Sequence, residues 1–273
     1  MSAPPPAPRG GNPRGAKPNP VRQARGGANR RPFFLALLLV AVAGVGAITW
    51  AMQRTRAGSQ AIVVPPAVAN PNAPRPEGYV MGRADAPVEI VEYADFECPA
   101  CGQFATVTEP DVRARLVNTG QARYRFYDFQ VTGAHRNSPA ASLAAACAAD
   151  QGKFWEMHDR LFAGQNDWRT PIPGYDGGTD DPRPLFAGYA QAIGLDAARW
   201  GQCYDGRQHL QRLAAHRAEA ERAQVQATPT FMVGARQLQG PQPFDALRAL
   251  IDSARAAAAP AAGAPAGAAP AAR

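Results

Sequence analysis

Four side chains in this 273-residue sequence are suited to redox chemistry: Cys98, Cys101, Cys147 and Cys203. The first two lie three apart, after a strand-like segment and at the start of a helix-like one. A helix N-terminus carries partial positive charge from unsatisfied backbone N–H groups and so favours a thiolate. The thiolate is the attacking species in disulfide exchange. A second sulfur one turn further on is placed to release a trapped mixed disulfide. This geometry makes Cys98 the nucleophile and Cys101 the resolving thiol. The rival readings of a C-x-x-C pair are half of a zinc site and a structural clip. Zinc asks for two further Cys or His ligands at compatible spacing. Cys147 and Cys203 form no second C-x-x-C, and His135, His158, His209 and His216 are scattered, so we assign no metal and no other cofactor. Cys147 and Cys203 each fall in a helical pattern. In an exported chain an even cysteine count suggests pairing. A Cys147–Cys203 bridge reads as a structural disulfide worth about 2–4 kcal/mol, with a redox relay or free thiols as the alternatives.

The elements that must position these residues follow from periodicity. Residues 87–93 (PVEIVEY) and 122–129 (ARYRFYDF) read as strands. From Cys98 to about Val117 the chain reads as a helix, with Phe104, Val107, Val112 and Leu116 at helical spacing, stopped by residues 118–120 (NTG). A helical block occupies about 137–225, with Ser138 before Pro139 as a cap and first-turn pair. Helical stretches are predicted over 140–149, 154–162, 184–192, 197–204 and 207–223, around a Gly-, Pro- and Asp-rich loop near 171–182. Residues 230–233 (TFMV) form a strand, Gln237 and Leu238 a short partner, and 244–254 a last helix. The order predicts an α/β fold with a helical subdomain inserted in its middle. Along the segment entering Cys98, residues 92, 94, 96 and 98 share a face, whereas Asp95 and Glu97 point the other way and read as solvated. Phe154, Trp155, Met157 and Phe162 read as packing of the helical block on the core. The pattern does not decide whether Trp168, Tyr175 and Trp200 are packing or binding residues.

The ends of the chain differ in composition. Residues 1–32 are rich in Pro, Gly, Ala, Asn and Arg and read as a disordered basic cytoplasmic tail. Residues 1–56 hold nine basic groups and no acid, which leaves 20 basic and 22 acidic residues in the remainder of a chain of net charge +7. The positive charge therefore sits beside an apolar segment and not on a folded surface, which argues against a nucleic-acid partner. Residues 33–52 are a run of 20 without a charge, long enough to span a hydrocarbon core of about 30 Å. Seven of the nine basic residues precede it. The expectation is a single transmembrane anchor with the N-terminus cytoplasmic and the catalytic domain extracytoplasmic. A cleaved signal peptide is the competing reading, with Val45-Gly46-Ala47 as the small-residue site. Residues 53–77 read as a Pro-rich linker, 78–255 as the folded domain, and 256–273 as an Ala/Pro-rich disordered tail.

Three segments together carry a family resemblance: EYADFECPAC (92–101), FWEMHDRLF (154–162) and ATPTFMVG (227–234). They resemble the DsbA-like thioredoxin-fold disulfide oxidoreductases, the membrane-tethered bacterial type with a second cysteine pair, over about residues 78–255. The resemblance implies a thioredoxin fold with an inserted helical subdomain, here preceded by the single N-terminal transmembrane helix. It implies that Pro229 is cis and faces the reactive pair, and that Thr228 presents its backbone to a substrate strand, a short form of β-augmentation. It also implies that Glu92 is a buried acid under the pair, with a pKa raised by desolvation, able to exchange a proton with Cys101; a solvated strand carboxylate is the alternative. One position departs from the strongly oxidising relatives, which carry His just before the second cysteine. This chain has Ala100, so the nucleophile should be less extreme and the couple less oxidising.

The function expected is an exported thiol–disulfide oxidoreductase that introduces disulfides into reduced exported proteins through Cys98-Pro99-Ala100-Cys101. The resemblance implies a membrane reoxidase of the quinone-coupled or vitamin K epoxide reductase-like type. A reductase or isomerase of the same compartment, and a non-catalytic peptide-binding or chaperone module, are the alternatives.

Overall fold

The computed structural model describes residues 31–58, 61–66, 75–130, 133 and 135–258. The disordered arm expected up to residue 32 and the tail expected from 256 lie outside these residues, apart from the helix ends that enter them. Much of the expected linker lies outside them too. Helix α1 (Arg31–Gly58) contains Phe33–Trp50, an 18-residue window of mean hydropathy 2.4 whose side chains are all exposed. At about 1.5 Å per residue such a helix is long and apolar enough to cross a membrane. It continues past Met52 to Gly58, where an extended linker was expected. No proline interrupts residues 53–58, so nothing in this stretch breaks the backbone ladder.

The domain that follows is built on one five-stranded sheet. Strands β1 (Tyr79–Met81), β2 (Glu89–Ala94), β3 (Arg123–Asp128), β4 (Thr230–Val233) and β5 (Arg236–Gln239) lie in the order β1-β3-β2-β4-β5. β2 and β3 are parallel, and the other pairs are antiparallel. A parallel pair needs a crossover. Here it is the helical run α2 (Pro99–Gln103), a π-turn (Phe104–Thr108), α3 (Glu109–Val112) and a second π-turn (Arg113–Val117). The sequence predicts one helix over this span. The first π-turn has a chemical cause: the Glu109 N–H reaches back five residues to the Phe104 carbonyl, and Pro110, with no N–H to give, opens the next segment. β1 was not foreseen, because three edge residues carry no readable period. β4 and β5 are joined through Gly234, whose φ of 59° suits the first position of a tight II′-type hairpin.

Helices cover both faces of the sheet. On one, Ile90, Tyr124, Phe231 and Val233 pack with Phe104, Val112 and Leu116 of the crossover and with Leu247 and Ile251 of α10 (Phe244–Ala258). On the other, Val91, Tyr93 and Tyr127 meet Ala220 of α9 (Leu210–Arg222) and Val225. β2 is therefore buried on both faces from Ile90 to Ala94, as central strands are. The inserted block consists of α4 (Ser138–Ala149), α5 (Phe154–Ala163), α6 (Gln165–Trp168), α7 (Arg183–Ala192), α8 (Ala197–Asp205) and α9. α4 buries Ala on every side, which identifies it as the central helix of the block. Its N-cap is Asn137 and not Ser138; the Asn137 amide turns away to the carbonyls of Trp168 and Thr179. Phe154, Met157 and Phe162 are buried, as are Trp168 and Trp200; Tyr175 is exposed. Thus both tryptophans are packing residues.

Cys147 on α4 and Cys203 on α8 are joined by a disulfide, 56 residues apart in sequence. A cross-link of that span restricts the unfolded chain most. The Cys147→Ala/Cys203→Ala double variant should lose about 2–4 kcal/mol in urea denaturation. An unchanged urea midpoint would remove the bridge from the stability of the block.

Candidate active site

β2 and β4 are neighbours, and the pairing of Tyr93 with Thr230 brings the end of one beside the start of the other. The next residues on each side form the site. Cys98 is the N-cap of α2, with φ −70° and ψ 121°. Its thiol reaches the Thr228 carbonyl at 3.4 Å, and the Thr228–Pro229 peptide is cis. Cys98 is 8% exposed, its one-turn neighbour Cys101 fully buried, and neither is cross-linked. The Cys98 pKa is lowered to about 5, first by a hydrogen bond from Cys101, then by the side chain of Thr228 and by the backbone N–H groups of Cys101 and Ala100. These favour the thiolate and outweigh partial burial, which opposes it. The value lies between the roughly 7 of thioredoxin and the roughly 3.5 of DsbA. Cys101 moves the other way, well above an ordinary thiol, through burial, through Cys98 and through the charge of Glu92.

Glu92 lies on β2 and is 1% exposed. The alternative of a solvated carboxylate is thereby excluded. Burial and the nearby charge of Glu109 raise its pKa well above the carboxylate range. The Tyr124 hydroxyl donates to Oε2 at 2.5 Å and favours the anion, without reversing that shift. Glu109 is itself buried and held by Arg113, 2.6 Å from Oε1, and Arg113 reaches on to Asp159 at 2.7 Å. Tyr124, Glu109 and Arg113 were not foreseen. Only the pairing of β2 with β3 brings Tyr124 beside Glu92, and the strand spacing carries no sign of it.

The expectation that Asp95 and Glu97 are solvated is wrong. Both are buried. β2 ends at Ala94, so its alternation no longer applies to residues 95–97. Instead they form the turn that delivers Cys98. Asp95 Oδ1 accepts the Glu97 N–H at 2.8 Å, and the Asp95 carbonyl accepts the Cys98 N–H at 3.0 Å. Asp95 Oδ2 meets His135 Nδ1 at 2.8 Å. Glu97 accepts the backbone N–H groups of Asn137 (2.8 Å) and Thr170 (2.5 Å), and so ties the turn to the inserted block. Gln165 of α6 donates its amide to the carbonyls of Phe96 (2.7 Å) and Cys98 (3.0 Å). A Cβ on Gly102 would stand 2.8 Å from the Gln165 amide oxygen, so a larger residue there would displace that amide. A dithiol so arranged can attack a disulfide from Cys98 while Cys101 stays protonated. In the oxidised state it can accept attack at Cys98 with Cys101 as the leaving thiolate.

The family model described as thioredoxin matches residues 75–253. BdbD from Bacillus subtilis, in its oxidised form, is similar in structure, with a TM-score of 0.58 and 21% identity over 70% of this chain and all of that one. DsbA from Chlamydia trachomatis is similar with a TM-score of 0.57 and 20% identity, over 71% of this chain and all of that one. At such identities the likeness concerns the fold. Among curated proteins, a Na(+)/H(+) antiporter NhaA 3 from Salinispora tropica is 39% identical over 180 residues, 66% of this chain and 25% of that protein. The chain thus spans about a quarter of the length of the curated relatives it matches, and the antiporter name is theirs.

The shifted thiol sets a pH dependence. A group whose folded pKa is depressed stabilises the fold above its unfolded pKa, and that contribution fades as pH falls to the folded value. The stability of the reduced protein relative to Cys98→Ala should therefore grow from about pH 5 to the ordinary thiol range near 8.5. Iodoacetamide labelling of Cys98 should show a midpoint near pH 5. A difference in stability that stays flat across this range, or a labelling midpoint above 8, contradicts the assignment.

Proposed function

This chain belongs to the thioredoxin family and has the fold of its DsbA-like members, and from that premise we propose that it is an exported protein thiol–disulfide oxidase in which Cys98 attacks and is attacked while Cys101 resolves. The observation that carries this reading is the placing of Cys98 at the head of α2 against Thr228–Pro229 with Cys101 buried one turn below, which shifts the two thiols in opposite directions. A substrate thiolate attacks Cys98 of the oxidised pair, the Cys98–Cys101 bond breaks, and Cys101 leaves as a thiolate. Glu92, whose pKa burial raises well above the carboxylate range, is placed to give that sulfur its proton. The substrate's second thiolate then attacks its own sulfur in the mixed disulfide and expels Cys98 as a stable thiolate. The substrate has lost two electrons and the dithiol has gained them. Thr228 and Pro229 supply the surface on which an extended substrate segment lies. Helix α1 anchors the domain in the membrane, with the catalytic domain on the extracytoplasmic side. A membrane reoxidase of the quinone-coupled or vitamin K epoxide reductase-like type returns the pair to the disulfide.

A reductase reading is favoured by one feature, Ala100, which leaves the motif without its own basic side chain. The redox potential separates the two. A value nearer about −120 mV marks an oxidase, and one nearer about −270 mV a reductase.

Cys101→Ala in the full chain should accumulate mixed disulfides with exported proteins, visible as bands lost on reduction. The Cys98→Ala/Cys101→Ala variant should give none. Bands that persist without Cys98 would overturn its role as the nucleophile.

A further inference from the structure

The pair formed by Asp95 and His135 has no part in the exchange chemistry just described, yet it is built into the turn that holds the nucleophile. Asp95 is buried, and its carbonyl and one carboxylate oxygen shape the turn from residue 95 to Cys98. Glu97, the next acid along, is buried as well. Two carboxylates therefore sit within three residues of a sulfur that must carry negative charge. Like charges at such range disfavour a thiolate. The other oxygen of Asp95 is bonded to His135 Nδ1 at 2.8 Å, on the segment just before α4. The charge of His135 opposes that of Asp95, whose own carbonyl holds the Cys98 N–H at 3.0 Å. Its pKa is raised by the hydrogen bond to Asp95, by the charges of Asp95 and Glu97, and by Cys98 itself, against the effect of partial burial. Its neighbour Arg136 is directed outward to Asp180.

We propose that His135, clamped by Asp95, is a positioning and electrostatic residue that keeps Cys98 ionised, the task a basic side chain at position 100 would perform and Ala100 does not. The inference rests on the reading of Cys98 as the nucleophile. Its physical content is a reciprocal coupling: if His135 favours the Cys98 thiolate, the thiolate must raise the His135 pKa equally. Forming the Cys98–Cys101 disulfide removes the thiolate and must lower it again.

The test compares wild type, His135→Asn and His135→Asn/Ala100→His as reduced full chains in detergent, by iodoacetamide labelling of Cys98 against pH. Asn keeps a donor for Asp95 and removes the charge. His135→Asn should move the labelling midpoint up by about half to one unit, about a two- to fivefold loss of thiolate at pH 5, and the added Ala100→His substitution should move it back. A midpoint equal to that of wild type in His135→Asn, or one that the double variant fails to restore, overturns the proposal. Should the substitution impair folding, the wild type alone decides: the His135 ring proton resonance, followed by NMR, should titrate higher in the reduced protein than in the oxidised one. Equal values overturn the proposal. If wild-type Cys98 itself titrates as an ordinary thiol, the failure lies with its assignment as the nucleophile and not with His135.

Discussion

Two sulfurs one helical turn apart are held on opposite sides of the ordinary thiol range, and the rest of the site depends on that difference. Cys98 is favoured as an anion by the hydrogen bond from Cys101, by Thr228 and by the N–H groups that open α2. Cys101 is buried against the Cys98 sulfur and resists ionisation. Each sulfur thereby strengthens the state of the other. Whatever stabilises the thiolate stabilises the dithiol state relative to the disulfide, so the oxidising power of the couple is set by the same contacts that set the reactivity of Cys98.

The sheet is what makes those contacts reproducible. β2 is its middle strand, paired on both sides, and cannot shift without breaking two registers. Its end, through the turn fixed by Asp95, leads to Cys98. The start of β4 in the antiparallel neighbour leads from Pro229. A sulfur and a backbone carbonyl 130 residues apart in sequence meet at 3.4 Å because two adjacent strands begin and end at the same level. The inserted block is fastened to this junction by Glu97, which takes N–H groups from Asn137 and Thr170, and by Gln165, which caps the carbonyls of Phe96 and Cys98.

The fold and the meeting of Cys98 with Thr228–Pro229 were legible because local signals carry them: a strand, a helix start and a C-x-x-C at the junction, then T-P-T-F at the head of a late strand. The helical block was legible from its spacing and from the Ala-rich α4. What was not legible depends on contacts between segments remote in sequence. Asp95 and Glu97 look solvated on a strand that continues; they are buried because the strand stops at Ala94 and the chain turns. The four histidines look scattered along the sequence, yet each meets a carboxylate: His135 with Asp95, His158 with Asp159, His209 with Asp150, His216 with Asp128. Only the pair 158–159 is adjacent in the chain, and no periodicity marks the other three.

The second cysteine pair shows why position, and not residue type, decides whether a sulfur is favoured as a thiolate. Cys98 caps the start of a helix, where the partial charge is positive. Cys147 and Cys203 lie in the last turns of α4 (Ser138–Ala149) and α8 (Ala197–Asp205), where it is negative. Asp150, 3.6 Å from the Cys203 sulfur and shared with His209, adds a further carboxylate there. Both sulfurs are buried among the alanines and tryptophans of the block. Helix ends and burial thus disfavour the thiolates that reduction would produce, and a poorly stabilised thiolate is also a poor leaving group in exchange. The same helix dipole that favours a thiolate at Cys98 therefore disfavours one at Cys147 and Cys203.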